Sequence, residues 1–259
     1  MTELRSAWNP EQYARFRQER AQPFFDLMAL VQPRAGMSVV DLGCGPGELT
    51  KELHVHLNAR ETVGVDNSPA MLEKAAAFSG DGLRFEEGDI ATFTGDAPYD
   101  LIFSNAALHW VPDHPALLAR LTAALDDGGQ LAVQVPDNDD HPSHATAVAV
   151  AREDPFAGVL AGHTRQTPVL APEAYAALLY ELGFLQQSVR LQVYGHILPS
   201  RDDVVEWVRG SVLTDYERRM PAELWPLFLV RYRERLMPQL PDTRPFFYPF
   251  RRILFWAAR

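Results

Sequence analysis

The 259-residue chain predicts an α/β fold, a doubly wound and mostly parallel sheet with helices on both faces. Three observations predict it. Strand-like apolar runs alternate with helix-compatible stretches from Met37 to Val135. A glycine-dense turn, Gly43-Cys44-Gly45-Pro46-Gly47, joins the first apolar run to the pattern Glu48-Leu49-Thr50-Lys51-Glu52-Leu53. Three consecutive strands close on carboxylates, Asp41, Asp66 and Asp89, which puts three acids along the carboxyl edge of one sheet. Open α/β sheets bind their ligands on that edge.

Each element has its own signal. Trp8-Asn9-Pro10 leads into an amphipathic helix from about Glu11 to Leu30, apolar at Tyr13, Phe16, Phe24 and Leu27, within an N-terminal helical segment over 1–36. The first strand, Val39 to Leu42, ends in the glycine turn, where the backbone approaches a ligand more closely than a side chain would allow. The helix behind it aims its N-terminus into the crevice. Thr62-Val63-Gly64-Val65 ends at Asp66, placed to accept two ribose hydroxyls or to cap the helix of Ser68-Pro69-Ala70-Met71-Leu72. Leu83 to Glu87 runs to Gly88-Asp89-Ile90, where Asp89 is either a ligand acceptor or a turn cap. Tyr99 to Ser104 is a fourth buried strand. It breaks at Asn105-Ala106-Ala107-Leu108-His109-Trp110, and His109 and Trp110 either wall a reaction pocket or anchor the Pro112-Asp113-His114-Pro115 turn. Gly128-Gly129 introduces a fifth strand, Gln130 to Val135. Residues 136–170, rich in Pro, His, Asp and Gly, read as a variable lid or insertion. A helix (about Pro172–Leu182), a strand near Ser188–Tyr194, two helices (Asp202–Leu213 and Pro221–Leu240) and a last strand (Phe246–Ala257) complete the chain.

Composition narrows the function classes. At 47% hydrophobic and 22% charged, the chain reads as one ordinary soluble domain. A formal charge of −10, without a basic footprint, argues against nucleic acid. All basic residues except Lys51 and Lys74 are arginine, so a single arginine says little about anion binding. Cys44 is the only cysteine, which excludes an intrachain disulfide and a cysteine-ligated zinc site. No apolar leader or membrane-length run is present, and a cytoplasmic setting follows. His141, His144 and His163 share one segment, but Pro142 and the lack of paired carboxylates argue against a metal.

The glycine spacing separates two ligand classes. Dinucleotide folds read G-x-G-x-x-G. Here the glycines fall at 43, 45 and 47 behind Asp41, a compressed form that resembles the first motif of the class I S-adenosylmethionine-dependent methyltransferases. That resemblance implies a Rossmann-like, seven-stranded sheet with a helical substrate cap over 198–242, in a single domain spanning 1–259 whose cofactor-binding core is 37–135. It implies S-adenosylmethionine as cofactor and S-adenosylhomocysteine as product. Asp41 then orders the cofactor's ammonium, and Gly43, Cys44 and Gly45 press on its amino-acid half. Asp66 with Asn67 takes the ribose, Asp89 and Ile90 take the adenine, and Asn105 faces the cofactor. Met71 packs on the adenine or on the sheet.

A tighter resemblance covers most of the chain. Trp8-Asn9-Pro10-x-x-Tyr13-x-x-Phe16-x-x-Glu19-Arg20, Asp66-x-Ser68-Pro69-Ala70-Met71, Leu108-x-Trp110-x-Pro112-Asp113-His114, Gln134-x-Pro136-Asp137-Asn138 and Pro199-Ser200 with Trp207-Val208 are similar to the trans-aconitate 2-methyltransferase family. His109 stands where that family carries glutamine. The resemblance implies methyl transfer to a carboxylate of a di- or tricarboxylate, with His109, Trp110, Arg20, Tyr194, Trp207 and Arg209 as acceptor-site residues; Arg209 also fits a solvated helix face. It implies a small-molecule partner and a monomer or weak homo-oligomer. A carboxylate, ionised at pH 7, needs no general base, and the loop from Ser104 to Trp110 offers no carboxylate to act as one. The competing readings are a methyltransferase for a quinone precursor or lipid, a nicotinamide-dependent reductase, and a non-catalytic S-adenosylmethionine-binding module.

Overall fold

The computed structural model describes residues 21–95, 98–165, 167–209 and 212–259. Residues 21–28 are helical and are called α1. Then follow β1 (Ser38–Leu42), α2 (Glu48–Leu57), β2 (Glu61–Asp66), α3 (Pro69–Ala75), β3 (Leu83–Glu87), β4 (Tyr99–Asn105), α4 (His114–Ala123) and β5 (Leu125–Pro136). The remainder comprises α5 (Pro142–Ala151), α6 (Phe156–Val159), α7 (Pro172–Glu181), β6 (Gln186–Leu198), α8 (Asp203–Arg209), α9 (Val212–Arg219), α10 (Trp225–Leu236) and β7 (Phe246–Ala258). The seven strands form one sheet in the order β3-β2-β1-β4-β5-β7-β6. The four pairings from β3 to β5 are parallel, with Val40 opposite both Val63 and Ile102. Chain order reverses between β1 and β4, and this switch point opens a crevice at the carboxyl ends of those strands.

The described residues fall into two compact units. Among the described residues, the first holds those from 21 to 135, Pro168–Gln192 and Ile253–Arg259. Its core gathers Val40, Leu42, Val63, Ile102, Leu131 and Val133 from the strands with Tyr175 and Leu179 of α7 and Phe255 of β7. Each large apolar side chain removed from water contributes ~1.5–3 kcal/mol. Phe24 of α1 packs its ring 4.8 Å from that of Phe103. Buried Gln130 joins distant segments: its Nε2 donates to the Gln32 carbonyl at 2.7 Å, and its Oε1 accepts from the Gln32 amide and the Trp256 indole, both at 2.8 Å.

The second unit holds Pro136–Thr167 and Val193–Arg252. In it α5 packs against α8, α9 and α10. Phe228 sits amid Phe156, Tyr216 and Trp225, with ring centroids 5.1–5.5 Å apart.

Several element boundaries differ from the sequence reading, each for a physical reason. Strand β5 begins at Leu125, not Gln130, because Gly128 (φ 72°) lets it run on past a register shift opposite Tyr99 and Leu101. The helix expected over Asp202–Leu213 is α8 ending at Arg209, with α9 starting at Val212. Pro226, at the first turn, sets the start of α10 later than Pro221. Residues 136–170, read as a variable lid or insertion, contain α5 and α6. His141 caps α5 by accepting from the Ser143 amide, and Ser143, His144, Thr146, Ala147, Val150 and Ala151 are buried. A helix apolar around most of its circumference carries no 3.6-residue stripe to find. The Trp8-Asn9-Pro10 opening and Arg20 lie outside the described residues.

Candidate active site

The crevice at the β1–β4 switch point is built from backbone outward. Gly43, Gly45 and Gly47 all have positive φ (80°, 55° and 80°). The Gly43 and Cys44 amides donate to the Val65 carbonyl at 2.8 and 3.1 Å, tying the turn to the end of β2. A Cβ on Gly43 would lie 2.2 Å from the Ala107 Cβ, so only glycine lets the loops after β1 and β4 approach this closely. A Cβ on Gly45, in contrast, would meet nothing within 4 Å. Ala106 turns the chain out of β4 with φ 55°, a left-handed conformation unfavourable for alanine, and is held by its amide donating to the Gln134 carbonyl at 2.9 Å.

Each of the three expected acids has a different environment. Asp41 is buried at 3% exposure, and its Oδ2 accepts from the Thr50 hydroxyl at 2.6 Å. Burial raises its pKa to about 7, with the Asp66 charge adding to the rise and the Thr50 hydrogen bond opposing it. Asp66 bridges the turn to α3: Oδ2 accepts from the Gly45 amide and Oδ1 from the Ser68 amide, both at 2.9 Å. Asp89 is exposed and accepts from the Ala91 amide at 2.8 Å. The turn-cap reading therefore describes a real bond of Asp89, whereas the N-cap of α3 is Ser68 and Asp66 holds that residue's amide rather than capping the helix itself. Every carboxylate oxygen still carries a second lone pair for a ligand.

Around these acids, Cys44 is buried, and burial together with Asp41 and Asp66 pushes its thiol well up, so it is an inert packing group. Asn67 adjoins Asp66 at the start of the α3 turn, and Ile90 is half-buried against the core. Met71 is exposed on α3. Asn105 ends β4, and its buried Oδ1 finds no hydrogen-bond partner among the described residues. His109 is buried and Trp110 is 53% exposed on the short helical turn after β4, their rings 4.8 Å apart. That turn is braced by buried His114, which meets the Leu108 carbonyl at 3.1 Å through Nε2 and the Tyr175 hydroxyl at 2.5 Å through Nδ1.

The sequence reading missed Thr50 and Arg120. Arg120 donates to the Phe93 carbonyl at 3.0 Å and the Ile90 carbonyl at 3.2 Å and so fixes the segment after Asp89. Thr50 had a usable signal, because it shares the buried face of α2 with Leu53 and Leu57. The other acceptor-site expectations fall in the second unit, where Tyr194 and Trp207 are buried on β6 and α8. Arg209 lies exposed on α8, 3.7 Å from Glu206. Among the described residues no group of three or more histidine, cysteine, aspartate and glutamate side chains is arranged to hold a metal.

Comparison with known proteins decides the family. A methyltransferase-domain family profile matches residues 13–185. The chain belongs to the S-adenosylmethionine-dependent methyltransferases. Among curated relatives, this methyltransferase is 45% identical over 258 residues to the trans-aconitate 2-methyltransferase of Deinococcus radiodurans, covering 97% of this chain and 98% of that one. It is 40% identical over 235 residues to the enzyme of the same name from Variovorax paradoxus, covering 90% of each. Among solved structures, its fold is shared with an S-adenosylmethionine-dependent methyltransferase from Mesorhizobium loti (TM-score 0.51, 23% identity, 93% and 98% covered). The Haemonchus contortus phosphoethanolamine N-methyltransferase 2, solved with S-adenosyl-L-methionine, shares it as well (TM-score 0.54, 16% identity, 92% and 52% covered).

Proposed function

We propose that this methyltransferase esterifies one carboxylate of trans-aconitate, releasing the monomethyl ester and S-adenosylhomocysteine. The observation that carries the reading is the 45% identity to the Deinococcus trans-aconitate 2-methyltransferase across nearly the full length of both chains. The crevice fits the cofactor on two local grounds, the open space at Gly45 and the orphaned, buried Asn105 Oδ1. In this reading Asp66, with Asn67, accepts the ribose hydroxyls and Asp89, with Ile90, meets the adenine, which Met71 covers. Asp41 takes the ammonium, while Gly43, Cys44, Gly45 and Asn105 line the amino-acid half.

When bound, S-adenosylmethionine supplies an electrophilic methyl on a sulfonium. The acceptor carboxylate is ionised at pH 7, so the chain's residues have no proton to remove. Their work is alignment and exclusion of water, which in favourable cases supplies ~7–11 kcal/mol. His109 and Trp110 serve this role as a paired aromatic wall beside the turn after β4. Arg20, Tyr194, Trp207 and Arg209 are the acceptor-side residues of the same proposal. We assign the reaction to the cytoplasm and to a monomer or weak homo-oligomer; among the described residues no helix is long and apolar enough to cross a membrane.

Incubation with isotope-labelled S-adenosylmethionine and a panel of organic acids, followed by mass detection of methyl esters, tests the reading. Trans-aconitate is expected to give a monomethyl ester. Labelled product from an apolar acceptor alone, or from no acid in the panel, overturns it.

A further inference from the structure

The second unit carries a polar cluster that the cofactor crevice does not use. Ser143 is fully buried on α5, and its hydroxyl lies 2.8 Å from His141 Nδ1, 3.0 Å from His144 Nδ1 and 3.1 Å from the Tyr248 hydroxyl. The Tyr232 hydroxyl donates to the Ser143 carbonyl at 2.8 Å. Rings close around this core. Trp207 lies 4.4 Å from His196 and 5.9 Å from Tyr248, and Phe250 lies 6.1 Å from His144 and 6.3 Å from His196.

One guanidinium group lies over these rings, and the charge of a second acts on them. Arg252 sits 4.8 Å above the face of Phe250, and its charge also acts on Tyr248. Arg165, half-buried, donates its backbone amide to the Tyr216 hydroxyl at 3.1 Å. Its charge acts on His144, and Asp139 and Asp215 face it as counter-charges. Burial, Arg165 and His141 together depress His144 to about 3, so this imidazole is neutral at pH 7 and the cationic contacts fall to the arginines. A strongly acidic protein repels a polyanion at long range, so it needs cations of local reach to hold one. Forked guanidinium groups match carboxylates in geometry as well as charge.

We propose that Arg165 and Arg252, set around the Tyr248, Phe250 and His144 rings of the second unit, bind the non-reacting carboxylates of the acceptor. The Trp207–His196 pair supplies a flat face for its planar, unsaturated carbon chain. This assignment rests on the reading of the acceptor as a polycarboxylate and gives it a recognition site whose residues all lie in the second unit. It moves the cationic contacts from Arg209, exposed beside Glu206, to Arg252, held over the buried Phe250 ring, and to half-buried Arg165, whose backbone is tied to the Tyr216 hydroxyl.

Calorimetry on the full chain saturated with S-adenosylhomocysteine tests the site, with trans-aconitate and the monocarboxylate crotonate as probes. Arg165→Gln and Arg252→Gln are each expected to weaken trans-aconitate binding more than tenfold. Crotonate should change less than threefold and S-adenosylhomocysteine less than twofold. Arg165→Lys, which keeps the counter-charge for Asp139 and Asp215, guards against misfolding; it should fold as wild type and still lose affinity through loss of the fork. Variants that fold and bind trans-aconitate as tightly as wild type overturn the site and leave the substrate reading standing. Wild-type protein that binds S-adenosylhomocysteine but no polycarboxylate overturns the substrate reading, and the site falls with it.

Discussion

Asp41 gives up hydration for one short bond from Thr50, and that exchange leaves its proton balanced near neutrality. The sign of the effect follows directly. The folded protein holds this proton up to about pH 7, whereas the unfolded chain releases it near pH ~4, so folding stability falls as pH rises across that interval and is level above it. For a carboxyl this deeply buried the loss reaches on the order of 4 kcal/mol. In thermal melts of the ligand-free protein at pH 4–8, the stability of wild type relative to Asp41→Asn should decline as pH rises. A cationic amine beside Asp41 favours the ionised form, so S-adenosylhomocysteine affinity should climb between pH 5 and 7 and then level off. Calorimetry giving a flat profile in wild type would separate Asp41 from the ammonium. Asp66→Ala should weaken cofactor binding more than tenfold and also destabilise the fold by ~1–3 kcal/mol, because the Gly45 and Ser68 amides both lose their acceptor. Both acids were legible from spacing alone, since each stands at the end of an apolar run. The burial of Thr50 was legible from the helix face it shares with Leu53 and Leu57, but its bond to Asp41 was not, because that partner lies across a turn whose closure depends on three positive-φ glycines.

At the scale of elements, the glycine turn is tight against its neighbours on one side and open on the other. Gly43→Ala should destabilise by more than ~2 kcal/mol through its clash with Ala107 and its positive φ, read by urea unfolding. Gly45→Ala should cost only the ~1 kcal/mol of an unfavourable φ while reducing cofactor affinity more strongly, since its added methyl enters the open side. These strands were visible in the sequence because β1, β2 and β4 are short apolar runs, each buried along most of its length. Helix α5 was hidden because its exposed side, with Ala145 and Ala149, is as apolar as its buried one, and its His141-Pro142 start resembled a loop. Nothing in the linear order brought Ser143 of α5 to Tyr248 of β7, since long-range partners inside a helical unit carry no periodic label.

At the scale of the whole molecule, buried histidines govern acid behaviour in both units. Burial lowers His114 in the first unit and His141 and His144 in the second below the ordinary imidazole range. Their unfolded counterparts take up protons near pH ~6.5, so stability falls as pH drops through that value, and for His144 the loss continues down to about pH 3. Urea midpoints of wild type should fall more steeply from pH 7 to 4 than those of His144→Asn, a contribution opposite in sign to that of Asp41. The partition into two units was the least legible feature of the chain. The sequence reading took 136–170 and 198–242 as separate additions, yet most of both segments belongs to one unit, joined by contacts such as Gln239 Nε2 donating to the Thr146 hydroxyl at 2.9 Å. Such pairings between distant segments are set by shape complementarity, which no local pattern encodes.

The sheet order also has a consequence for biosynthesis. Strand β7 is made after β6 yet lies between β5 and β6 in the sheet. While the nascent chain lengthens on the ribosome, β5 waits with an open edge and β6 cannot reach its final neighbour, so sheet completion is deferred until β7 has emerged. The indole of Trp256 then reaches Gln130, a contact between the last strand and the fifth. Stalled chains ending before Phe246 should therefore expose an unpaired strand edge to chaperones and proteases, and pulse proteolysis of arrested chains should register protection of β5 abruptly as β7 leaves the exit tunnel.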